Sequence, residues 1–296
     1  MLKSVEKEIE SLVAQLGDKR VLDLYRDLPA GKRLRSRLIL KICDSKECIK
    51  LAALIEMIHA ASLLHDDVID DAETRRGKAS INAVYGDKTA IMLGDILYSK
   101  AFFELTDFPG DVAKTVSNAV VLLSMGEMMD VDLAKAFNTD LDLYLDMVYK
   151  KTASLIEASA ACAAILAGLE PQPYALYGKN LGIAFQIVDD ILDIVGDEKS
   201  LGKPAMNDYK EGKTTMPYIY LYESLDENGR ARLESLFAKE PSFEDKAWIK
   251  ESMIKYGAVK KAMDYAVSLG EEALAALPEK NGDLQEIMKK LIYREY

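Results

Sequence analysis

Residues 48–71, CIKLAALIEMIHAASLLHDDVIDD, decide how the rest of the chain is read. Apolar residues recur at spacings of three and four, the period of an α-helix with a buried stripe. The run ends on four carboxylates, Asp66, Asp67, Asp70 and Asp71. An ionised carboxylate taken out of water without a partner is costly, so a helix that is apolar up to this point and acidic at its end calls for cations, water or both.

The same period continues outward through residues 89–105 (TAIMLGDILYSKAFFEL), 112–137, 141–169 and 174–195, and strand-like alternation is almost absent. Breaks fall at Pro29-Ala30-Gly31, Phe108-Pro109-Gly110, Glu170 to Pro173 and Gly202 to Pro204. The intervals suit helices of about 15 to 30 residues. The pattern predicts an all-α protein of ten or more helices. No composition shift or flexible Ser/Gly stretch marks a boundary, so one domain over residues 1–296 is expected.

A formal net charge of -11 argues against general nucleic-acid affinity, and any phosphate ligand must be met by a few placed Lys and Arg residues. Cys43, Cys48 and Cys162 fit neither a disulfide framework nor a zinc pattern and read as buried apolar fillers in a reducing cytoplasm. The N-terminal MLKSVEKEIESLVAQLG is charged and amphipathic rather than a secretion signal, and no apolar run suggests a membrane span of roughly 18 residues. The expectation is a soluble, cytoplasmic protein that meets a membrane only peripherally, through a greasy substrate or product.

The answer to the acidic run begins in FQIVDDILD, residues 185–193, which repeats Asp-Asp-x-x-Asp after an apolar lead-in. Positions i and i+4 share a helix face, so Asp66 with Asp70, and Asp189 with Asp193, each present two carboxylates one turn apart. Hard divalent cations suit them, because Mg²⁺ takes oxygen ligands, keeps several waters and is usually held by one or two carboxylates plus substrate phosphates. Zinc is a poor fit, with no Cys and only His65 beside either motif. Cationic groups lie near both: Arg75-Arg76-Gly77, Gly31-Lys32-Arg33-Leu34-Arg35 at the start of a helix, Lys151-Thr152, Lys203 and Lys213. A helix N-terminus beside Lys or Arg makes a good anion site. His59 stands two turns before Asp66 on the same face, and two readings stay open for it: a satisfied core histidine or a hydrogen-bond partner of phosphate.

Taken together, GKRLR (31–35), IHAASLLHDDVIDDAETRRG (58–77), Lys151-Thr152, FQIVDDILD (185–193), Gly202-Lys203 and EGKTT (211–215) resemble the trans-isoprenyl diphosphate synthases, or polyprenyl synthetases, and most of all the bacterial long-chain, octaprenyl-type members. The resemblance implies a single-domain helical bundle around a central cavity, usually a homodimer. It implies condensation of isopentenyl diphosphate (IPP) with an allylic diphosphate such as farnesyl diphosphate, assisted by three Mg²⁺ ions. By resemblance, Asp66, Asp70 and Asp189 hold the metal directly, with Asp67, Asp190 and Asp193 in support and Asp71 outside the motif. Arg75, Lys203 and Lys213 are the ligands it implies for the allylic diphosphate; Lys32, Arg35, His59 and Arg76 are those for IPP. Lys151, Thr152 and Gln186 are placed beside the reacting carbons, and no protein base is implied because the departing diphosphate takes the proton. Two departures from the family pattern touch the IPP loop: Pro29-Ala30-Gly31 stands in for the common double glycine, and Ser36 stands where proline is frequent. His65 and Arg294 receive no role.

Product length in such enzymes depends on what blocks the cavity below the first motif. The residues five and four positions before Asp66 are Ala61 and Ser62, where short-chain members usually carry an aromatic of much greater volume. A small pair predicts a deeper tunnel and an octaprenyl (C40) product, with Met125, Met128 and Met129 as either its floor or ordinary core. A shorter-chain farnesyl or geranylgeranyl synthase is the alternative. A terpene cyclase would not need Lys32, Arg35 and His59, a head-to-head synthase would carry DxxxD spacing, and a catalytically silent subunit tends to lose aspartates from one motif.

Overall fold

A computed structural model of the chain describes residues 1–29, 31–196, 206–278 and 281–292. Apart from one two-residue hairpin, every regular element among them is helical, and there are more than the ten helices the pattern calls for. They gather into two compact units, residues 1–121 with 155–175, and residues 122–154 with 176–296.

In the first unit the deciding stretch is α4, Lys46–Ile69, preceded by α1 (Leu2–Ala14), α2 (Lys19–Asp27) and α3 (Leu34–Ile42). The Ser45 hydroxyl caps α4 by accepting the Cys48 N–H at 3.1 Å. Every residue from Leu51 to Ile58 is buried, so this helix is apolar nearly all round and forms the centre of the unit. By length and composition α4 reaches membrane-spanning size, but 67% of its most apolar window is buried inside the protein, as in a core helix. Helix α5 (Ile81–Tyr85) leads into α6 (Asp87–Leu105), which packs along α4.

After α4 the chain turns back in a hairpin of β1 (Thr74–Arg75) and β2 (Lys78–Ala79), with Thr74 opposite Ala79 and Arg75 opposite Lys78. Arg76 and Gly77 form its two-residue loop with φ of 53° and 73°, as a type I′ turn requires. The hairpin returns Arg75 to the end of the helix that carries Asp67.

Two expectations fail here. Cys43 and Cys48 are not separate fillers but are joined by a disulfide across the α3–α4 turn, where their Cα atoms lie 6.1 Å apart. Cys usage therefore no longer argues for a reducing compartment. Cys162 alone keeps its expected role; it is buried, and burial pushes its thiol up to about 12.

The second unit holds the C-terminal part of α7 (Gly110–Leu133), α8 (Leu141–Val148), a π-helical turn over Tyr149–Ala153, and most of α10 (Pro171–Val195), which follows α9 (Ser154–Leu166). It is completed by α11 (Asn207–Lys210), α12 (Met216–Ser224), α13 (Glu227–Leu236), α14 (Phe243–Lys255), α15 (Ala258–Ala276) and α16 (Gly282–Ile292). Tyr177 and Asn180 tie α10 to this unit through the carbonyls of Leu284 and Leu269 at 2.8 and 3.2 Å. Tyr209 and Tyr218 stack in its interior, and half-buried Phe137, Tyr222 and Phe237 extend the aromatic cluster outward.

Two of the three methionines of α7 are neither floor nor core. Met125 and Met128 are exposed, because Gly126, Glu127 and Asp130 take the inward face of the helix. Met129 is half-buried, with Lys150 Nζ 3.5 Å from its sulfur.

Candidate active site

In the first unit, four arginines converge on the start of α3 and the end of α4. Arg33 opens α3 in the left-handed region, with φ of 55°, and its Nη1 lies 3.0 Å from Glu56 Oε2. Glu56, 4% exposed, also accepts the Ser36 N–H at 3.2 Å and the Ser36 hydroxyl at 2.7 Å. The unusual serine thus supplies two donors where a proline would supply none. It also means that one N–H of this helix terminus, expected to be open to an anion, is already taken by the protein.

Arg76 donates to the Pro29 carbonyl at 3.3 Å and lies against Gly31, where a Cβ would stand 2.6 Å from its Nη1. Only glycine lets the guanidinium approach that loop so closely. The Arg35 Nε–H is buried without a hydrogen-bond partner among the described residues. Burial and nearby Arg76 pull Arg35 down to about 10 despite Glu56, and burial with Arg35, Arg76, Arg75 and Arg33 around it holds His59 well below its usual range. Neutral His59 in a ring of guanidiniums is a site short of negative charge, which is what an anion with several oxygens relieves. Lys32 is exposed beside it.

At the end of α4, the two neighbouring aspartates differ. Asp67 is buried and accepts Arg75 Nε at 2.6 Å; Asp66 is half-buried and Asp70 exposed. Burial raises the Asp67 carboxyl, and Arg75 opposes that rise. Asp71 is exposed, as expected. His65 turns aside to the Ile91 carbonyl at 3.2 Å.

In the second unit, Lys151, Thr152, Gln186, Asp190 and Lys213 line one cavity of about 140 Å³, together with Asp130, Tyr144, Asp208, Thr214 and Thr215. Lys151 and Thr152 sit in the π-helical turn, a distortion that recurs at functional sites. Gly126 makes room for it: a Cβ there would stand 2.3 Å from the Lys151 backbone nitrogen. Lys151 Nζ is 2.6 Å from Asp130 and 2.8 Å from Glu127, and these two carboxylates raise its pKa against the cost of burial.

Thr152 donates to Gln186 Oε1 at 3.1 Å, Gln186 Nε2 donates to Asp190 Oδ1 at 2.9 Å, and the Tyr144 hydroxyl donates to Asp190 Oδ2. Burial and Asp208 raise Asp190, while Tyr144 and Gln186 oppose the rise. Asp193 is buried and accepts the Asp208 N–H at 3.1 Å, whereas Asp189 is half-buried. Lys213 pairs with Glu211 at 2.9 Å. Lys203 and Arg294 lie outside the described residues.

Among the described residues no three His, Cys, Asp or Glu side chains form a ready-made metal cage. Mg²⁺ takes one or two carboxylates and completes its shell with water and phosphate oxygens. Asp66 and Asp70 in the first unit and Asp189 in the second are the less buried acids of their motifs.

The chain matches the polyprenyl synthetase family over residues 19–253. It belongs to that family. It is therefore an enzyme, a Mg²⁺-dependent trans-prenyltransferase that builds polyprenyl diphosphate. It is 38% identical over 248 residues to the short chain isoprenyl diphosphate synthase of Methanocaldococcus jannaschii, covering 79% of this chain and 75% of that one. It is 35% identical over 229 residues to the octaprenyl diphosphate synthase of Escherichia coli, covering 74% and 69%. Among solved structures, the octaprenyl pyrophosphate synthase of Helicobacter pylori aligns with a TM-score of 0.94 and 41% identity, covering 98% of each chain. Polyprenyl synthetases similar to this chain therefore include both short- and long-chain enzymes.

The sequence pattern singles out neither Glu56, Glu127, Asp130, Asp208 nor Tyr144, and it gives Arg33 no role of its own. Glu56 is a lone acid inside an apolar run, and Glu127 with Asp130 are two acids three residues apart on a Met-rich helix; both were visible signals. Tyr144 carried none.

Proposed function

We propose that this synthetase condenses IPP with an allylic diphosphate such as farnesyl diphosphate and elongates it to a long all-trans product, octaprenyl diphosphate being the best single assignment. The observation that carries the reaction is that one unit holds a cation-rich cluster around neutral His59 and the other a carboxylate-rich cavity around Lys151. One suits a diphosphate that stays bound; the other suits a reacting centre that becomes positive.

In this reading Lys32, Arg35, His59 and Arg76 hold the IPP diphosphate, and Arg75, Lys203 and Lys213 hold that of the allylic substrate. Mg²⁺, when bound, neutralises the leaving diphosphate; Asp66, Asp70 and Asp189 would hold it, with Asp67, Asp190 and Asp193 oriented behind them. The allylic C–O bond breaks with its electron pair leaving on the diphosphate, and the IPP double bond forms the new C–C bond. A proton then passes to the released diphosphate. Gln186 Oε1 and the Thr152 oxygen present fixed negative dipoles to the cation without needing to reorganise. Lys151, clamped by two carboxylates, adds charge without adding a net repulsion.

The long-chain assignment is supported by Ala61 and Ser62, which are buried and small, at 0% and 4% exposure. A short-chain reading has its own support in the Methanocaldococcus jannaschii relative. A homodimer is favoured by the apolar side chains of Met125, Met128 and Val131 left exposed on α7.

Incubation with farnesyl diphosphate, labelled IPP and Mg²⁺, followed by chromatography of the dephosphorylated products, tests both levels. A ladder ending near C40, shortened in Ala61→Tyr, is the expected outcome. Products stopping at C15 or C20 select the short-chain reading, and no Mg²⁺-dependent incorporation refutes the function.

A further inference from the structure

Tyr144 is 1% exposed, stands on α8, and lines the cavity that holds Thr152, Gln186 and Asp190. Its one hydroxyl proton goes to Asp190 Oδ2. A hydroxyl has a single donor, so this bond uses all of the donor capacity of Tyr144. Asp190 receives a second donor, Gln186 Nε2, on its other oxygen at 2.9 Å. Thr152 then donates to Gln186 Oε1 at 3.1 Å. Both Asp190 oxygens are therefore met by side-chain donors, Tyr144 on one and Gln186 on the other.

The direction matters for Gln186. A side-chain amide can offer a cavity either its oxygen or its NH₂, and the two have opposite polarity. With Asp190 held as an acceptor, the NH₂ must face the carboxylate and Oε1 must face Thr152 and the cavity. An NH₂ turned the other way would place partial positive charge beside a cationic reaction centre.

We propose that Tyr144 is a positioning residue: its buried hydroxyl fixes the Asp190 carboxylate, and through it the orientation in which Gln186 presents its amide oxygen to the reacting carbons. The inference rests on the prenyl-transfer reading above and assigns to an unremarked core tyrosine the upkeep of the cavity's polarity.

The test compares wild type, Tyr144→Phe, Gln186→Leu and the double variant, in steady-state kinetics with farnesyl diphosphate, labelled IPP and Mg²⁺, alongside thermal unfolding followed by circular dichroism. Tyr144→Phe keeps the ring and removes one oxygen. Its kcat is expected to fall by about 10- to 100-fold, the scale of losing one preorganised dipole, with KM for both substrates within about threefold. Because both changes act through one amide, the double variant should be slower than Gln186→Leu by no more than about twofold, where independent effects would multiply. A kcat within twofold of wild type, a loss confined to KM, multiplicative effects in the double variant, or loss of cooperative unfolding in Tyr144→Phe each overturns the inference in favour of a packing role. An inactive wild type refutes the proposed function and the inference with it; an active wild type beside an unimpaired Tyr144→Phe refutes the inference alone.

Discussion

The two units carry the same Asp-Asp-x-x-Asp sequence in different electrostatic settings. Around the first motif, the four guanidiniums of Arg33, Arg35, Arg75 and Arg76 stand against Glu56, Asp66, Asp67 and Asp70, and burial together with those guanidiniums keeps His59 neutral. Around the second, Glu127, Asp130, Asp189, Asp190, Asp193 and Asp208 outweigh Lys151 and Lys213. Identical motifs thus do not make identical surroundings: guanidiniums crowd the first, and further carboxylates crowd the second. In both, however, the second aspartate of the pair is buried and committed to protein donors, Arg75 for Asp67 and Tyr144 with Gln186 for Asp190, while the first is half-buried.

The sharpest way to break this comparison is to remove the first aspartate of each motif. Asp66→Ala and Asp189→Ala are each expected to lower kcat/KM by about 10³-fold or more, with unfolding temperatures close to wild type, since neither residue is fully buried. Initial rates over a Mg²⁺ series check this. Wild-type turnover in either variant would remove that motif from the metal assignment.

Lys151 divides stability from catalysis within the cation-seeking unit. Lys151→Met leaves Glu127 and Asp130 facing each other without a counter-charge, and breaking a buried pair in this way costs about 3–5 kcal/mol. The triple variant Lys151→Met/Glu127→Gln/Asp130→Asn removes the stranded charges and should recover most of that loss in denaturant melts. Activity should stay low in both. Recovery of activity in the triple variant would reduce Lys151 to a structural cation.

How much of this was legible follows from what kind of pattern each feature leaves. The helices and both Asp motifs repeat at a fixed local spacing, so residues 48–71 and 185–193 could be read directly. The guanidinium cluster was half legible: Arg35, His59, Arg75 and Arg76 sit inside recognisable strings, but Glu56, which organises them, is joined to Ser36 only by folding. Tyr144 and the Glu127–Asp130 clamp meet their partners 46, 24 and 21 residues away, and no local period reports such a pairing. The Cys43–Cys48 link failed for a similar reason, since a turn between two helices, not their spacing, brings those sulfurs together. The methionines failed through phase: once Gly126 must face Lys151, Met125 and Met128 have to face outward.

The gentlest test of the comparison is titration of the anion-seeking unit. Burial and the arginines at positions 33, 35, 75 and 76 hold folded His59 well below its usual range, with Glu56 and Asp67 the nearby acids. In the unfolded chain the same imidazole titrates near about 6.5. As pH falls below that value the unfolded state takes up a proton that the folded state refuses, so stability present above about pH 6.5 is lost progressively toward the folded pKa. The difference in unfolding temperature between pH 7.5 and pH 5.5 should therefore be larger in wild type than in His59→Gln, whose side chain does not titrate. Inorganic diphosphate without metal adds a second arm. If it fills the guanidinium cluster, its charge eases protonation of His59, and the wild-type difference should shrink toward that of the variant. Equal pH dependence in wild type and variant would mean that folded His59 takes up its proton as readily as the unfolded chain does, and that the cluster is less short of negative charge than its four arginines imply.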